Sequence, residues 1–157
     1  MQVKEVMSRR IIAISPEETV AVAARLLSQH NIGALPVCSR DGRLRGMVTD
    51  RDIVVRCVAA GDDPERTRVA EIMTRRVLAA EPDRSVDEAA RLMAREQVRR
   101  LPVQEHGRLV GMVSLGDVAV RPDYTMATTW PRPLRTRSAM TVWYSLPLPI
   151  RARSSRS

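Results

Sequence analysis

Gly46-Met47-Val48-Thr49-Asp50-Arg51-Asp52 is answered further along the chain by Gly111-Met112-Val113-Ser114-Leu115-Gly116-Asp117. In each string an apolar run stops at a hydroxyl residue, and a carboxylate follows three positions later. Outward from the two strings the likeness persists. Residues 3–55 and 69–120 are two copies of one unit, offset by roughly 66 residues.

Each copy opens on a short segment, Val3-Lys4-Glu5-Val6-Met7 or Val69-Ala70-Glu71-Ile72-Met73, followed by Arg9-Arg10 or Arg75-Arg76. A short strand is predicted over residues 11–14 and 77–80, ended by Pro16 and Pro82. Thr19 and Ser85 are good N-caps. After them Val20, Ala23, Ala24 and Leu27 recur at helical spacing, as do Val86, Ala89, Ala90 and Met93, so these faces are expected in the core. Arg25 and Arg91 fall off the stripe. A strand containing Ala34-Leu35-Pro36-Val37 or Arg100-Leu101-Pro102-Val103 comes next. Its inner proline cannot donate to a ladder, which argues for an edge or a strand start. Turns at Gly42 and Gly107 lead into strands over 45–49 and 110–114. A helix then runs from Asp50 to about residue 60 and stops at Gly61. In the second copy the same helix starts at Leu115 and meets Pro122 early.

The order β-α-β-β-α, twice over, predicts an α+β fold with small sheets covered by helices and a pseudo-two-fold axis between the copies. One unit of roughly 55 residues would bury too little surface alone, so the copies should share a core. The expected division is a first unit over 1–62, a second over 63–122 and a tail over 123–157.

Composition narrows the class. Aromatics make up 3% of the chain and Phe is absent, so the core is aliphatic. The formal charge of +8 is placed unevenly: all 18 acidic residues precede Tyr124, and six arginines follow it. The repeats are nearly balanced and the tail carries the basic excess, so nucleic-acid binding falls to the tail and is a lesser expectation. The tail, with Pro131, Pro133, Pro147 and Pro149, shows no sustained periodicity and reads as disordered or non-native. The N-terminus has no apolar targeting stretch, and no run nears the ~18 apolar residues of a membrane span. A cytoplasmic protein is expected. Cys38, Cys57, His30 and His106 include no close ligand pair, so no metal is predicted. No Walker loop, G-x-S-x-G or H-E-x-x-H occurs, so no catalytic residue is assigned and no enzyme is expected.

The doubled strings carry the chemistry. Thr49 ends a strand beside a helix N-terminus, where unpaired amides attract anions. Asp52 lies about one turn along, where its carboxylate can accept from the two hydroxyls of a ribose. Ala34-Leu35-Pro36 offers an apolar wall for a flat base. Ser114, Asp117 and Arg100-Leu101-Pro102 repeat the set. Plain helix capping would explain the same Thr-x-x-Asp spacing without any ligand.

The doubled pattern of residues 32–37 followed by 46–52, and of 97–103 followed by 111–117, resembles the CBS domain, and two in tandem resemble a Bateman module. The likeness covers residues 1 to about 122, as in stand-alone bacterial CBS pairs. It implies a regulatory or sensor module that takes AMP, ADP, ATP or a related adenosyl ligand in clefts between the units, with no required cofactor. On the family pattern Thr49 and Ser114 face phosphates, and Asp52 and Asp117 hold riboses. Gly33, Ala34 and Leu35, and Arg99, Arg100 and Leu101, line the bases, with Ile14 and Ala80 nearby. Arg99 and Arg100 are further phosphate candidates. The resemblance also implies a homodimer packed through the unit helices and an effector protein acting in trans. A ligand-free structural or stress-associated dimer is the alternative.

Overall fold

Two hydroxyl caps set the frame. Thr19 Oγ1 accepts the Val22 amide at 3.3 Å and Ser85 Oγ the Glu88 amide at 3.1 Å. Helices α2 (Val20–His30) and α5 (Val86–Glu96) therefore begin where the sequence places their caps. The computed structural model describes residues 1–119. The tail over 123–157 and Pro122 lie outside the described residues. Both helices close on a left-handed residue, Asn31 and Gln97. Val20, Ala23 and Leu27, and Val86, Ala89, Ala90 and Met93, are buried as their spacing predicts. Ala24 departs from the pattern and is exposed. The linker covers α2 on its other flank, where the Pro64 carbonyl takes the Ala21 amide at 3.0 Å and Ala21 is buried.

Strands β1 (Ala34–Cys38) and β2 (Leu44–Thr49) form one antiparallel hairpin, and β3 (Arg100–Glu105) and β4 (Arg108–Ser114) the other. The second turn is tight: His106 and Gly107 both have positive φ (52° and 78°) between Glu105 and Arg108, the signature of a type I′ turn. The strand expected over 11–14 shrinks to one parallel bridge between Ile14 and Val37, and that over 77–80 to one between Ala80 and Val103. The prolines explain this. Ile14 N–H donates to the Pro36 carbonyl (3.0 Å) and Cys38 N–H to the Ile14 carbonyl (2.9 Å). The next parallel bonds would need amide protons on Pro36 and Pro16, which have none. Pro102 and Pro82 cut the second ladder in the same way. Pro36 thus sits on a strand with neighbours on both sides, and the ladder stops at it.

After β2, α3 (Asp50–Ile53) runs into a π-helical turn, Val54–Val58, closed by the Ala59 amide on the Val54 carbonyl at 2.8 Å. Cys57 faces the core, while Val54, Val55 and Val58 are more than half exposed. Helix α6 (Leu115–Ala119) follows β4.

The opening segments are exchanged. Helix α1 (Val3–Val6) docks on the second copy: Val3 N–H bonds the Arg84 carbonyl (2.9 Å), Val86 N–H the Met1 carbonyl (3.0 Å), and Ser8 and Met112 exchange both backbone bonds (2.8 and 2.9 Å). Helix α4 (Val69–Ile72) docks on the first copy by the same pattern, with Val69 on Glu18, Val20 on Thr67, and Thr74 and Met47 exchanging both bonds. Val3 is fully buried among Val86, Met93, Leu101 and Val113, and Val69 and Ile72 among Val20, Leu35, Val37 and Val48. Each half completes the other's core, so each of the two cores depends on a segment from the other copy. None of the helices among the described residues is long and apolar enough to cross a membrane.

Candidate functional site

The two repeated strings end strands and start helices, as their residues dictate. Thr49 Oγ1 accepts the Asp52 amide (3.0 Å), and Asp52 Oδ2 accepts the Thr49 amide (3.0 Å). This reciprocal box leaves the Thr49 hydroxyl proton available for an acceptor. Asp52 is 8% exposed. Its other oxygen faces the Thr74 hydroxyl at 3.5 Å and the Arg56 guanidinium at 3.8 Å, and Arg56 also reaches the Ile72 carbonyl at 3.3 Å. At the second string Asp117 Oδ2 takes both the Ser114 amide and the Ser114 hydroxyl, each at 2.7 Å. The Ser114 proton is thereby committed. Asp117 is half-buried, and no donor among the described residues reaches its Oδ1.

A cavity of about 510 Å³ lies at the Thr49 end of the first hairpin. It draws from both copies at once: Gly33, Ala34, Met47 and Thr49 from the first, and residues 74, 76–78 and 98–102 from the second. Its size suits a drug-sized or nucleoside ligand. Its wall is apolar, formed by Met47, Val77, Leu78, Val98, Leu101 and Pro102. Thr49, Thr74, Arg76, Arg99 and Arg100 supply the polar groups. A second cavity of about 520 Å³ holds Arg99, Arg100, Ser114, Leu115, Gly116 and Ala119. The two arginines thus border both.

The structure brings together Gly33, Ala34, Thr49, Arg99, Arg100, Leu101 and Pro102 in one cavity, and Ser114 with the two arginines in the other. Asp52 and Asp117 are not among the lining residues of either cavity, and both are engaged in capping boxes. Leu35, Pro36 and Ile14 are buried, and Ile14 and Pro36 spend backbone groups on each other. Ala80 borders a separate groove along α5, with Glu88 and Arg91. Sequence reasoning missed Met47, Thr74, Arg76, Val77, Leu78 and Val98. The two basic pairs after the opening segments were visible, but the exchange that carries residues 74–78 to the first copy's Thr49 leaves no local signature.

His30 and His106 are exposed. Burial pushes the Cys38 thiol up, and Cys57 is buried with its sulfur 3.6 Å from the Asp62 carbonyl. Among the described residues no three of His, Cys, Asp or Glu gather as a metal site.

A family model described as the CBS domain matches residues 3–58 and again 69–122. The CBS domain-containing protein YhcV of Bacillus subtilis is 45% identical over 118 residues, covering 75% of this chain and 83% of the relative. Hypoxic response protein 1 of Mycobacterium tuberculosis is 39% identical over 116 residues, covering 74% and 81%. A crystal structure of Hypoxic Response Protein I with two coordinated zinc ions superposes with a TM-score of 0.70 at 38% identity, covering 76% of this chain and 97% of that one. The CBS domain pair of protein MJ0100, in complex with 5'-methylthioadenosine and S-adenosyl-L-methionine, gives 0.66 at 32% identity, covering 76% and 93%.

Proposed function

The chain belongs to the CBS domain family as a CBS pair, a regulatory module, and from that membership we propose that it senses adenine nucleotides in the clefts between its two halves. The observation that carries this reading is the 510 Å³ cavity, which joins an apolar wall from both copies to Thr49, Arg76, Arg99 and Arg100. A purine would lie on the wall, and phosphates would meet the hydroxyl and the arginines. Asp52 would receive the ribose by giving up its long Thr74 contact, and Asp117 would offer its open oxygen in the second cleft. The adenosyl ligands of the MJ0100 pair support the ligand class.

A ligand between halves can shift their arrangement only by binding two arrangements unequally. Here it would bear on residues 74–78, which tie one half to the other. A partner protein in trans would read the shift. The exposed Val54, Val55 and Val58 support pairing of two copies through the helices after β2. A cytoplasmic setting, which keeps Cys38 and Cys57 reduced, belongs to the same proposal.

A second reading has its own observation. Both carboxylates are engaged in capping boxes, as a ligand-free structural pair would need. Thermal unfolding with AMP, ADP and ATP separates the two. A ligand at ~100 times its Kd adds about 2.7 kcal/mol, and Asp52→Ala and Asp117→Ala should lose that gain relative to their own ligand-free midpoints. An unmoved midpoint with every nucleotide favours the structural pair.

A further inference from the structure

We propose that the Thr49 cleft selects its ligand by charge, taking nucleoside di- and triphosphates over monophosphates and rejecting cationic adenosyl sulfonium compounds, with Arg76, Arg99 and Arg100 as the specificity-determining residues. The proposal rests on the adenosyl reading of the same cleft and names the part of the ligand that this chain's own residues address.

Arg76, Arg99 and Arg100 are among the residues that line the cavity, and no acidic residue is. Elsewhere the arginines are largely neutralised or spent. Arg25 pairs with Glu65, Arg84 with Glu81 and Arg95 with Glu96, while Arg75, next to Arg76, donates to the Ala70 carbonyl. Arg76, Arg99 and Arg100 have no carboxylate within bridging distance among the described residues. Asp50 is the nearby acid on the first copy. It is exposed, lies 3.5 Å from where a Cβ on Gly33 would stand, and accepts the Arg51 amide.

Three like charges around one apolar cavity repel one another, and a polyanion seated there offsets that repulsion. Arginine forks also match phosphate oxygens two at a time, so a second and third phosphate find donors that a monophosphate leaves unused. A sulfonium would add a fourth positive charge. Arg76 repeats Arg10 of the first copy, but Arg99 and Arg100 are not part of the repeated pattern. The first copy has Gly33 and Ala34 in their place, so the charge of these two is an addition to the duplicated scaffold.

Calorimetric titration of the full chain in magnesium-free buffer, with ATP, ADP, AMP and S-adenosylmethionine, tests this. ATP is expected to bind at least about tenfold more tightly than AMP, with S-adenosylmethionine weakest. An Arg99→Gln/Arg100→Gln variant, altered only at exposed positions, should weaken ATP more than AMP and bring the two affinities close together. Arg76→Gln should move in the same direction. Equal ATP and AMP affinities in the natural chain would overturn the charge selection and leave nucleotide binding standing, as would a double variant that keeps the ATP preference. Tighter binding of S-adenosylmethionine than of ATP would overturn it too. Absence of binding by all four would remove the adenosyl reading and this inference with it.

Discussion

The first and second halves are built on one backbone plan, yet their repeated carboxylates live differently. Asp52 is almost fully buried, held by the Thr49 amide and faced by Thr74 and Arg56. Asp117 is half-buried and leans on Ser114 alone among the described residues. The exchanged segments account for part of the difference. Thr74 arrives beside Asp52, whereas the segment that arrives beside the second half brings Ser8, whose hydroxyl bonds the Arg10 carbonyl instead. A duplicated motif therefore guarantees the same local turn but not the same surroundings, because the surroundings come from the other copy.

The largest effect should come from breaking the exchange where it can be broken. Residues 1–8 can be removed without cutting the chain, while their counterparts, 67–74, form the connection itself. Removal takes Val3 out of the second core and frees the backbone groups of Arg84, Pro82, Val86 and Met112. Losing Val3 alone costs about 1.5–3 kcal/mol, and each unpaired buried group adds about 1–3 kcal/mol. The sum is comparable to the whole stability of a small domain. Hydrogen exchange should show protection lost first in α5, β3 and β4. Equal loss in both halves would mean that the two cores stand or fall together.

The next effect compares two glycines at the same place in the halves. A Cβ on Gly46 would stand 2.7 Å from the Thr74 carbonyl oxygen, and one on Gly111 would stand 2.6 Å from the Met7 sulfur and 3.1 Å from the Ser8 carbonyl oxygen. Backbone cannot yield easily, while a methionine tip can. Gly46→Ala should therefore cost about 1–3 kcal/mol and Gly111→Ala distinctly less, read as the difference between two denaturation midpoints. A larger loss at Gly111 would mean that the docking of residues 1–8 is the more rigid of the two.

These sites also mark what sequence could and could not reveal. The duplication, the caps at Thr19 and Ser85, the hairpins and the buried helical stripes were legible because each is a local pattern. The proline-limited bridges at Ile14 and Ala80 were half legible: the prolines were plain, but their effect depends on which strand lies alongside. The exchange of opening segments was not legible, since Val3 and Val69 are equally apolar whichever half they enter. For that reason residues 74 and 76–78 of the cavity's lining escaped, and each carboxylate was expected to face a ligand wall from its own copy.

The carboxylates give the smallest and sharpest comparison. Asp52→Ala takes away the carboxylate that accepts the half-buried Thr49 amide and faces the Thr74 hydroxyl and Arg56, and should cost about 1–3 kcal/mol. Asp117→Ala should cost less, near 1 kcal/mol or under, because Asp117 is half-buried and takes donors from Ser114 alone among the described residues. Asparagine divides the two roles further. Its carbonyl can still accept a cap bond, but its amide group replaces one of the two acceptors that a ribose diol requires. Asp117→Asn should thus melt close to the natural chain while losing most of any nucleotide-induced gain at the second cleft. Asp52→Asn should lose stability as well, since the Thr74 hydroxyl and Arg56 face the oxygen that changes. If both asparagine variants keep the full nucleotide response, the carboxylates are caps in both halves, and the difference between the halves is one of packing alone.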